Sequence, residues 1–159
     1  MKIGVIIIFQ NNEEDIDISF IVKQLNGAKN LELCLVNNDS KDSTYEVLKE
    51  IKAACTNVSV VNINRMKSDS LAIRAGARYM FHQGDLHHIG YLTTNSLKGK
   101  FHDLNTLIKL VSESQSEILK YNIKVRKNRK VKYTLFQNLF SISEYLKRIN
   151  QSNQFVSLQ

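Results

Sequence analysis

The 159-residue sequence contains no proline and no tryptophan, two cysteines and only six glycines. Without proline there is no proline kink and no polyproline recognition segment, so breaks between elements must come from glycine, asparagine and charged clusters. Cys34, in an apolar run, and Cys55, at the end of a helical pattern, lack the number and spacing of a disulfide framework or zinc site. Two reduced structural thiols are expected. No apolar run approaches the roughly 20 residues that span a bilayer, and Val5–Phe9 is strand-length only. Met-Lys-Ile leads straight into that run and leaves no room for a cleavable signal, so a cytoplasmic location is expected. Acidic residues are scarce in one region. Residues 98–159 carry 4 Asp/Glu against 12 Lys/Arg, whereas residues 1–97 carry 11 against 10, for a net charge of +7. A neutral body with a basic last third fits an anionic partner: phosphate groups, a membrane surface at its inner face, or nucleic acid. Nucleic acid is the least favoured, because no stacking aromatics interleave the basic run.

What is present is ordinary for one globular domain: 43% hydrophobic and 23% charged residues. Lys2–Phe9 is a β-branched run that reads as a buried parallel strand. Residues 13–26 place Ile16, Phe20 and Leu25 near one helical face and end at Asn26-Gly27, a helix stop. Strands are expected at Leu31–Val36, Val58–Ile63 and Ile89–Thr93, and helices at Ser43–Ala54 and Ser70–His82. This alternation implies right-handed crossovers and an α/β fold with a mostly parallel sheet and helices on both faces. Beyond Leu97 a helix is expected at Leu104–Ser112, then a hairpin pairing Ile118–Val125 with Lys130–Tyr133 across Arg126–Arg129. An amphipathic helix follows at Leu135–Ile149, suited to packing on the domain, on a second subunit, or on an anionic membrane. One domain over 1–150 is expected: a half spanning 1–97, a basic extension over 98–150, then a frayed tail at 151–159.

In open α/β sheets, ligands bind outside the carboxyl ends of the strands. Those ends read Phe9-Gln10-Asn11-Asn12-Glu13, Asn37-Asn38-Asp39-Ser40-Lys41-Asp42-Ser43-Thr44, Asn64-Arg65-Met66-Lys67-Ser68-Asp69-Ser70 and Thr93-Thr94-Asn95-Ser96. All four offer groups able to bind a base, ribose or phosphate, although each polar residue taken singly also serves as a turn or helix cap.

The same segments resemble family 2 glycosyltransferases of the GT-A fold. Ile8-Phe9-Gln10-Asn11-Asn12-Glu13 is similar to that family's Pro-x-Tyr-Asn-Glu opening, and Val36-Asn37-Asn38-Asp39-Ser40-Lys41-Asp42-Ser43-Thr44 to its Val-Asp-Asp-Gly-Ser-x-Asp-x-Thr. Lys67–Gly76 resembles the Gly-x-x-x-Ala-x-x-x-Gly helix start, and Gly84-Asp85 with Ile89–Leu92 resembles the approach to the Asp-x-Asp metal motif. Glu117–Arg126 is similar to a strand of the polyprenyl-phosphate branch. The resemblance implies a nucleotide-sugar ligand contacted by Phe9, Asn11, Glu13, Asn38, Asp39, Arg65, Lys67, Arg74, Thr93 and Asn95. Asn38 would contact the base, Glu13 the ribose region, and Arg65, Lys67 and Arg74 the phosphates. It also implies an acceptor phosphate near Lys124 and Arg126, as in a lipid-linked phosphate.

The departures from the family pattern matter equally. The Asp-x-Asp position is Thr93-Thr94-Asn95, and hydroxyls with an amide attract Mg²⁺ or Mn²⁺ far less than carboxylates do. No cofactor and no metal site are therefore expected, unless ligands for Mg²⁺ or Mn²⁺ come from outside the usual motif. The base-reading acid is replaced by Asn37 or Asn38, and the chain ends where longer members add an acceptor-binding half. The expected function is nucleotide or nucleotide-sugar binding with weak, metal-independent or absent glycosyl transfer and no assignable catalytic residue. The alternative is a non-catalytic scaffold, as a homodimer or beside a complete glycosyltransferase.

Overall fold

The computed structural model describes residues 1–83, 86–97, 103–129, 134 and 136–148. Five strands, β1 (Ile3–Phe9), β2 (Leu31–Asn38), β3 (Val58–Ile63), β4 (His88–Thr93) and β5 (Phe140–Ser141), form one sheet in the order β3-β2-β1-β4-β5. Every neighbouring pair is parallel. The helices are α1 (Ile18–Asn26), α2 (Thr44–Ala54), α3 (Asp69–Gln83), α4 (Leu104–Glu113) and α5 (Gln115–Lys127). This is the expected mostly parallel α/β sheet with helices on both faces.

β1 is buried at all seven positions, which explains why its sequence is continuously apolar rather than alternating. Its odd-numbered residues Val5, Ile7 and Phe9 pack with Leu33, Leu35, Ile21, Leu48 and Ile108, on the face covered by α1, α2 and α4. Its even-numbered Ile6 and Ile8 pack with Cys34, Val36, Ala72 and Ala77, on the face covered by α3. Gly76 lets α3 approach closely: a Cβ there would lie 2.7 Å from Ile6 Cγ2 and 3.0 Å from Val36 Cγ2. Neither β-branched methyl can swing aside without a rotamer change. The two cysteines are buried and unpaired, and burial pushes the Cys34 thiol up to about 12.

Two expectations for the last third are corrected. Ile118–Val125 is not a strand but the middle of α5, because Ile118 and Asn122, one turn apart, are its buried face, with Tyr121 and Val125 beside them. The proposed hairpin partner, Lys130–Tyr133, lies outside the described residues. The apolar stripe expected as one helix over Leu135–Ile149 is divided instead. Phe136–Asn138 form a 3₁₀ turn, Phe140–Ser141 join the sheet beside Gly90–Tyr91, and residues 142–148 are helical; Leu135 and Ile149 lie outside the described residues. Sheet pairing outcompetes helix continuation because Gly90 leaves space for it: a Cβ there would meet Ile142 Cδ1 at 2.5 Å and Phe140 Cζ at 3.0 Å. Phe140, Ile142 and Tyr145 of the stripe are buried in the main core, so these side chains pack internally. Each such burial contributes about 1.5–3 kcal/mol. Among the described residues, no helix is long and apolar enough to cross a membrane.

Helix α5 docks on the amino end of β4 through a polar contact. His88, 7% exposed, has Nδ1 at 2.8 Å from Asn122 Nδ2 and at 3.4 Å from Arg126 Nη1. With the Asn122 nitrogen and the guanidinium both turned to Nδ1, the ring is neutral and protonated on Nε2; turning the Asn122 amide over would let Nδ1–H donate to its otherwise unpaired Oδ1. Burial, then the charges of Arg126 and His87, hold the His88 pKa below the ordinary value of 6.5. The folded state therefore binds fewer protons than the unfolded state, so stability should fall as pH drops below about 6.5 toward the folded pKa. Thermal unfolding between pH 7.5 and 5 should show this loss, and His88→Asn should flatten it. An equally steep loss in that variant would place its source elsewhere.

Candidate functional site

Strand order and crossover direction locate the crevice. From β1 the chain moves to β2 and then β3 on one side, with α1 and α2 on one face; β4 returns to the other side of β1 through α3 on the opposite face. The switch point lies between β1 and β4, and the crevice opens at their carboxyl ends, where Phe9–Asn12 and Thr93–Asn95 emerge.

The loops after β1 and β2 are joined by reciprocal side-chain to backbone hydrogen bonds. The Asn11 amide donates to Ser40 Oγ at 3.0 Å, and Lys41 N donates to Asn11 Oδ1 at 2.7 Å. Glu13 N donates to Asp42 Oδ2 at 3.1 Å, and Ser43 N to Glu13 Oε2 at 3.1 Å. Asn12 N donates to Thr44 Oγ1 at 2.8 Å, and that hydroxyl donates onward to Asp42 Oδ1. Burial opposes ionisation of Asp42, but hydrogen bonds from the Thr44 side chain and from backbone amides, including Glu13's, hold its pKa below the ordinary carboxylate value. Asn11 and Asp39 have φ of 54° and 52°, in the left-handed region that Asn and Asp tolerate best among residues with side chains.

Asn12 extends this network to β4. Its Oδ1 accepts from Gln10 N at 2.8 Å and from Thr94 Oγ1 at 2.9 Å, while its Nδ2 donates to Asp15 Oδ2 at 3.0 Å. Asn95 Nδ2 reaches Gln10 Oε1 at 3.4 Å. Asn12 is 4% exposed and Thr94 5%, so this hub is structural and buried beneath the crevice.

Asn37 and Asn38 sit side by side in sequence but on opposite faces of the sheet. Asn38 clamps the loop before α3, donating Nδ2 to Lys67 O at 2.9 Å and accepting from Lys67 N at 3.0 Å. Both the nitrogen and the oxygen of its amide are thus engaged by the Lys67 backbone. Asn37 begins an amide ladder: its Nδ2 donates to Asn62 Oδ1 at 2.8 Å, and Asn62 Nδ2 donates to Asn64 Oδ1 at 3.0 Å. Asn37 Oδ1 is buried without a partner, in a residue 4% exposed. Reversing all three amides of the ladder would leave Asn37 Nδ2 unpaired instead, so one buried polar atom of Asn37 lacks a partner in either sense.

The other expected residues separate into distinct environments. Phe9 is 1% exposed and its ring belongs to the core, so its side chain is not a ligand contact. Glu13 bridges to Ser43 and Asp39 pairs with Lys41 Nζ at 3.1 Å, so both carboxylates serve the loops. Arg65 and Lys67 are exposed on the loop between β3 and α3. Arg74 lies further along α3, with its guanidinium 5.6 Å from the Phe136 ring centre. Thr93 is half-buried, and Asn95 is exposed beside Gln10. Lys124 and Arg126 are not brought to the crevice. They lie on α5, and Arg126 Nη1 donates to His87 O at 3.0 Å, at the amino end of β4. A helix replaces the strand expected to carry these two residues, and it places Arg126 at the amino end of the sheet, away from the crevice. Sequence reasoning named Asn37 only as one of two alternatives and overlooked the Asn12 hub. Strand parity was the missing signal, since residue 37 shares the face of Leu33 and Leu35.

The donor set after β4 does not suit the divalent cation that family resemblance places there. Thr94's hydroxyl is buried and donates to Asn12, and the Asn95 amide donates to Gln10, leaving no carboxylate in the set. Among the described residues, no three His, Cys, Asp or Glu side chains are grouped to hold a metal ion.

A parallel sheet wound in this order, with hydrogen-bonding loops gathered at one switch point, defines a Rossmann-like, GT-A-like α/β protein. Residues 4–96 match the family described as glycosyl transferase family 2, and the chain belongs to that family. Among solved structures it is similar to S. aureus TarS 1-349, with a TM-score of 0.51 and 13% identity over 77% of this chain and 33% of that one. A second is the mannosyltransferase PcManGT from Pyrobaculum calidifontis in complex with GDP-Man and Mn²⁺, with a TM-score of 0.38 and 17% identity over 49% of this chain and 24% of that one. The chain thus spans about a third of the TarS segment's length. No curated protein matches the sequence.

Proposed function

We propose that this family 2 glycosyltransferase domain binds a nucleotide or nucleotide-sugar at the carboxyl ends of its strands without a metal ion, and transfers sugar weakly or not at all. The observation that carries the reading is the open amide of Asn37. A buried acceptor without a donor costs about 1–3 kcal/mol, and a ligand N–H, such as that on the edge of a base, relieves the cost. Arg65 and Lys67, exposed on the neighbouring loop, supply positive charge for the phosphates. Weak or absent transfer follows from the acids. Glu13, Asp39 and Asp42 all hold the loops together, and the position after β4 lacks the charge that would stabilise a departing diphosphate.

The test is calorimetric titration with nucleoside diphosphates and nucleotide-sugars. Asn37→Ala should weaken binding at least tenfold, about 1.4 kcal/mol. Asn62→Ala, which cuts the same ladder but leaves the Asn37 amide in place, should cost less. Equal losses in the two variants would reduce Asn37 to a structural role. A second reading, a non-catalytic partner of a complete transferase, is favoured by the engagement of Glu13, Asp39 and Asp42 within the loops. It gains if no nucleotide binds and the chain co-purifies with a full-length transferase.

A further inference from the structure

A cleft of about 450 Å³ opens on the α3 face of the sheet, lined by Ser70, Ile73 and Arg74 of α3, Tyr91 of β4, and Phe136 and Leu139 of the last third, with Thr134 and Gln137 at its rim. It lies across the sheet from Asn37, because Tyr91 and Phe136 pack with the α3-side core while Phe9 and Leu35, neighbours of Asn37, pack on the other face. Thr134 and Gln137 cap each other: Thr134 N donates to Gln137 Oε1 at 2.9 Å, and Gln137 N to Thr134 Oγ1 at 3.4 Å. Ser70, Arg74 and Tyr91 are different. Among the described residues, Arg74 is in neither ion pair and the Ser70 and Tyr91 hydroxyls have no side-chain or backbone partner. Ser70 and Arg74 are exposed and Tyr91 half-buried, so water now solvates groups that a ligand in the cleft would reach. Arg74 rests over the Phe136 ring, which packs against Phe81 at a centroid distance of 6.0 Å and an interplanar angle of 68°.

We propose that this cleft binds a phosphomonoester whose body lies along Ile73, Phe136 and Leu139. The guanidinium offers two or more N–H donors on one edge, and the Ser70 and Tyr91 hydroxyls add two more, which suits the three terminal oxygens of a phosphate better than the two of a carboxylate. Stacking on Phe136 orients the guanidinium before the ligand arrives, so less side-chain freedom is lost on binding. The apolar floor adds affinity for whatever carries the phosphate, so inorganic phosphate alone should bind more weakly than an ester. The same chemistry occurs in a soluble sugar phosphate and in the monoester headgroup of phosphatidic acid.

The experiment titrates the whole chain with inorganic phosphate, glucose 6-phosphate and octyl phosphate, following backbone amide shifts by NMR, and measures co-sedimentation with vesicles containing phosphatidic acid. An ester should bind at least tenfold more tightly than inorganic phosphate, with shifts centred on Ser70, Tyr91 and Gln137. Arg74→Gln should lose at least tenfold, Arg74→Lys less, and Phe136→Leu should narrow the gap between ester and inorganic phosphate. Preference for glucose 6-phosphate assigns a soluble ligand; Arg74-dependent vesicle binding assigns a headgroup. Unchanged affinity in a folded Arg74→Gln variant, or shifts away from the cleft, would overturn the proposal. So would displacement of the ester by a nucleoside diphosphate, which would make the cleft the phosphate subsite of the nucleotide. Failure of any nucleotide to bind leaves the ester result standing, so the two readings fail separately.

Discussion

Asn12→Ala is expected to lower the stability of the domain by about 2–3 kcal/mol. The substitution removes the oxygen that accepts from both Gln10 N and the buried Thr94 hydroxyl, and each buried donor left unpaired costs about 1–3 kcal/mol. In a domain of this size that corresponds to a fall in Tm of roughly 5–10 °C. The loss should also be local. The loops after β1 and β4 meet through Asn12, so amide exchange should accelerate at Gln10–Glu13 and Thr93–Asn95 more than in the centre of β2. Asn12→Asp keeps the accepting oxygens but sets a second carboxylate beside Asp15, so its effect should fall between the wild type and the alanine variant. A Tm unchanged within about 1 °C in the alanine variant would show that the two loops are held independently.

The second large effect concerns metal. In the double variant Thr93→Asp and Asn95→Asp, Mn²⁺ should tighten nucleoside diphosphate binding by tenfold or more, where the wild type changes by no more than a few-fold. Two carboxylates supply the hard, charged oxygens that the hydroxyl and amide lack. Thr93 closes β4 and Asn95 lies beside Gln10 on the neighbouring loop, so both positions border the same crevice. Thr94 remains in the variant, and with it the bond to Asn12 that fixes the loop. If Mn²⁺ has no effect on the double variant while nucleotide still binds, the loop after β4 does not face the diphosphate.

The sequence made the first 97 residues legible for a simple physical reason. Each strand there is a short β-branched run and each helix an apolar stripe closed by Gly, Asn or a polar turn, so local propensity and tertiary role agree. Val58–Ile63 matches residue for residue, and α2 and β4 differ from expectation by one residue at one end and α3 by one at each end. The helix expected over 13–26, however, begins only at Ile18, after a separate 3₁₀ turn at Glu13–Asp15. The last third was misread where those signals conflict. Ile118–Val125 contains enough β-branched and aromatic residues to pass for a strand, but its burial repeats every three to four residues. Phe136–Leu146 has a helical stripe, yet the open edge of β4 and the space at Gly90 draw Phe140–Ser141 into the sheet. The same limit applied to the site. Composition marked the strand ends as polar, but it could not say which amides are engaged. Asn38 differs from Asn37 only in facing the α3 side, where Lys67's backbone takes both ends of its amide.

In the proposed function, amides and basic side chains at the strand ends bind a nucleotide without a metal. The most direct measurement is calorimetric titration of the wild-type chain with nucleoside diphosphates and nucleotide-sugars, once with Mn²⁺ and once with EDTA. Saturable binding of at least one nucleotide is expected, with affinities in the two conditions agreeing within a few-fold. No binding by any nucleotide would contradict it, and so would a tenfold or greater gain on adding Mn²⁺.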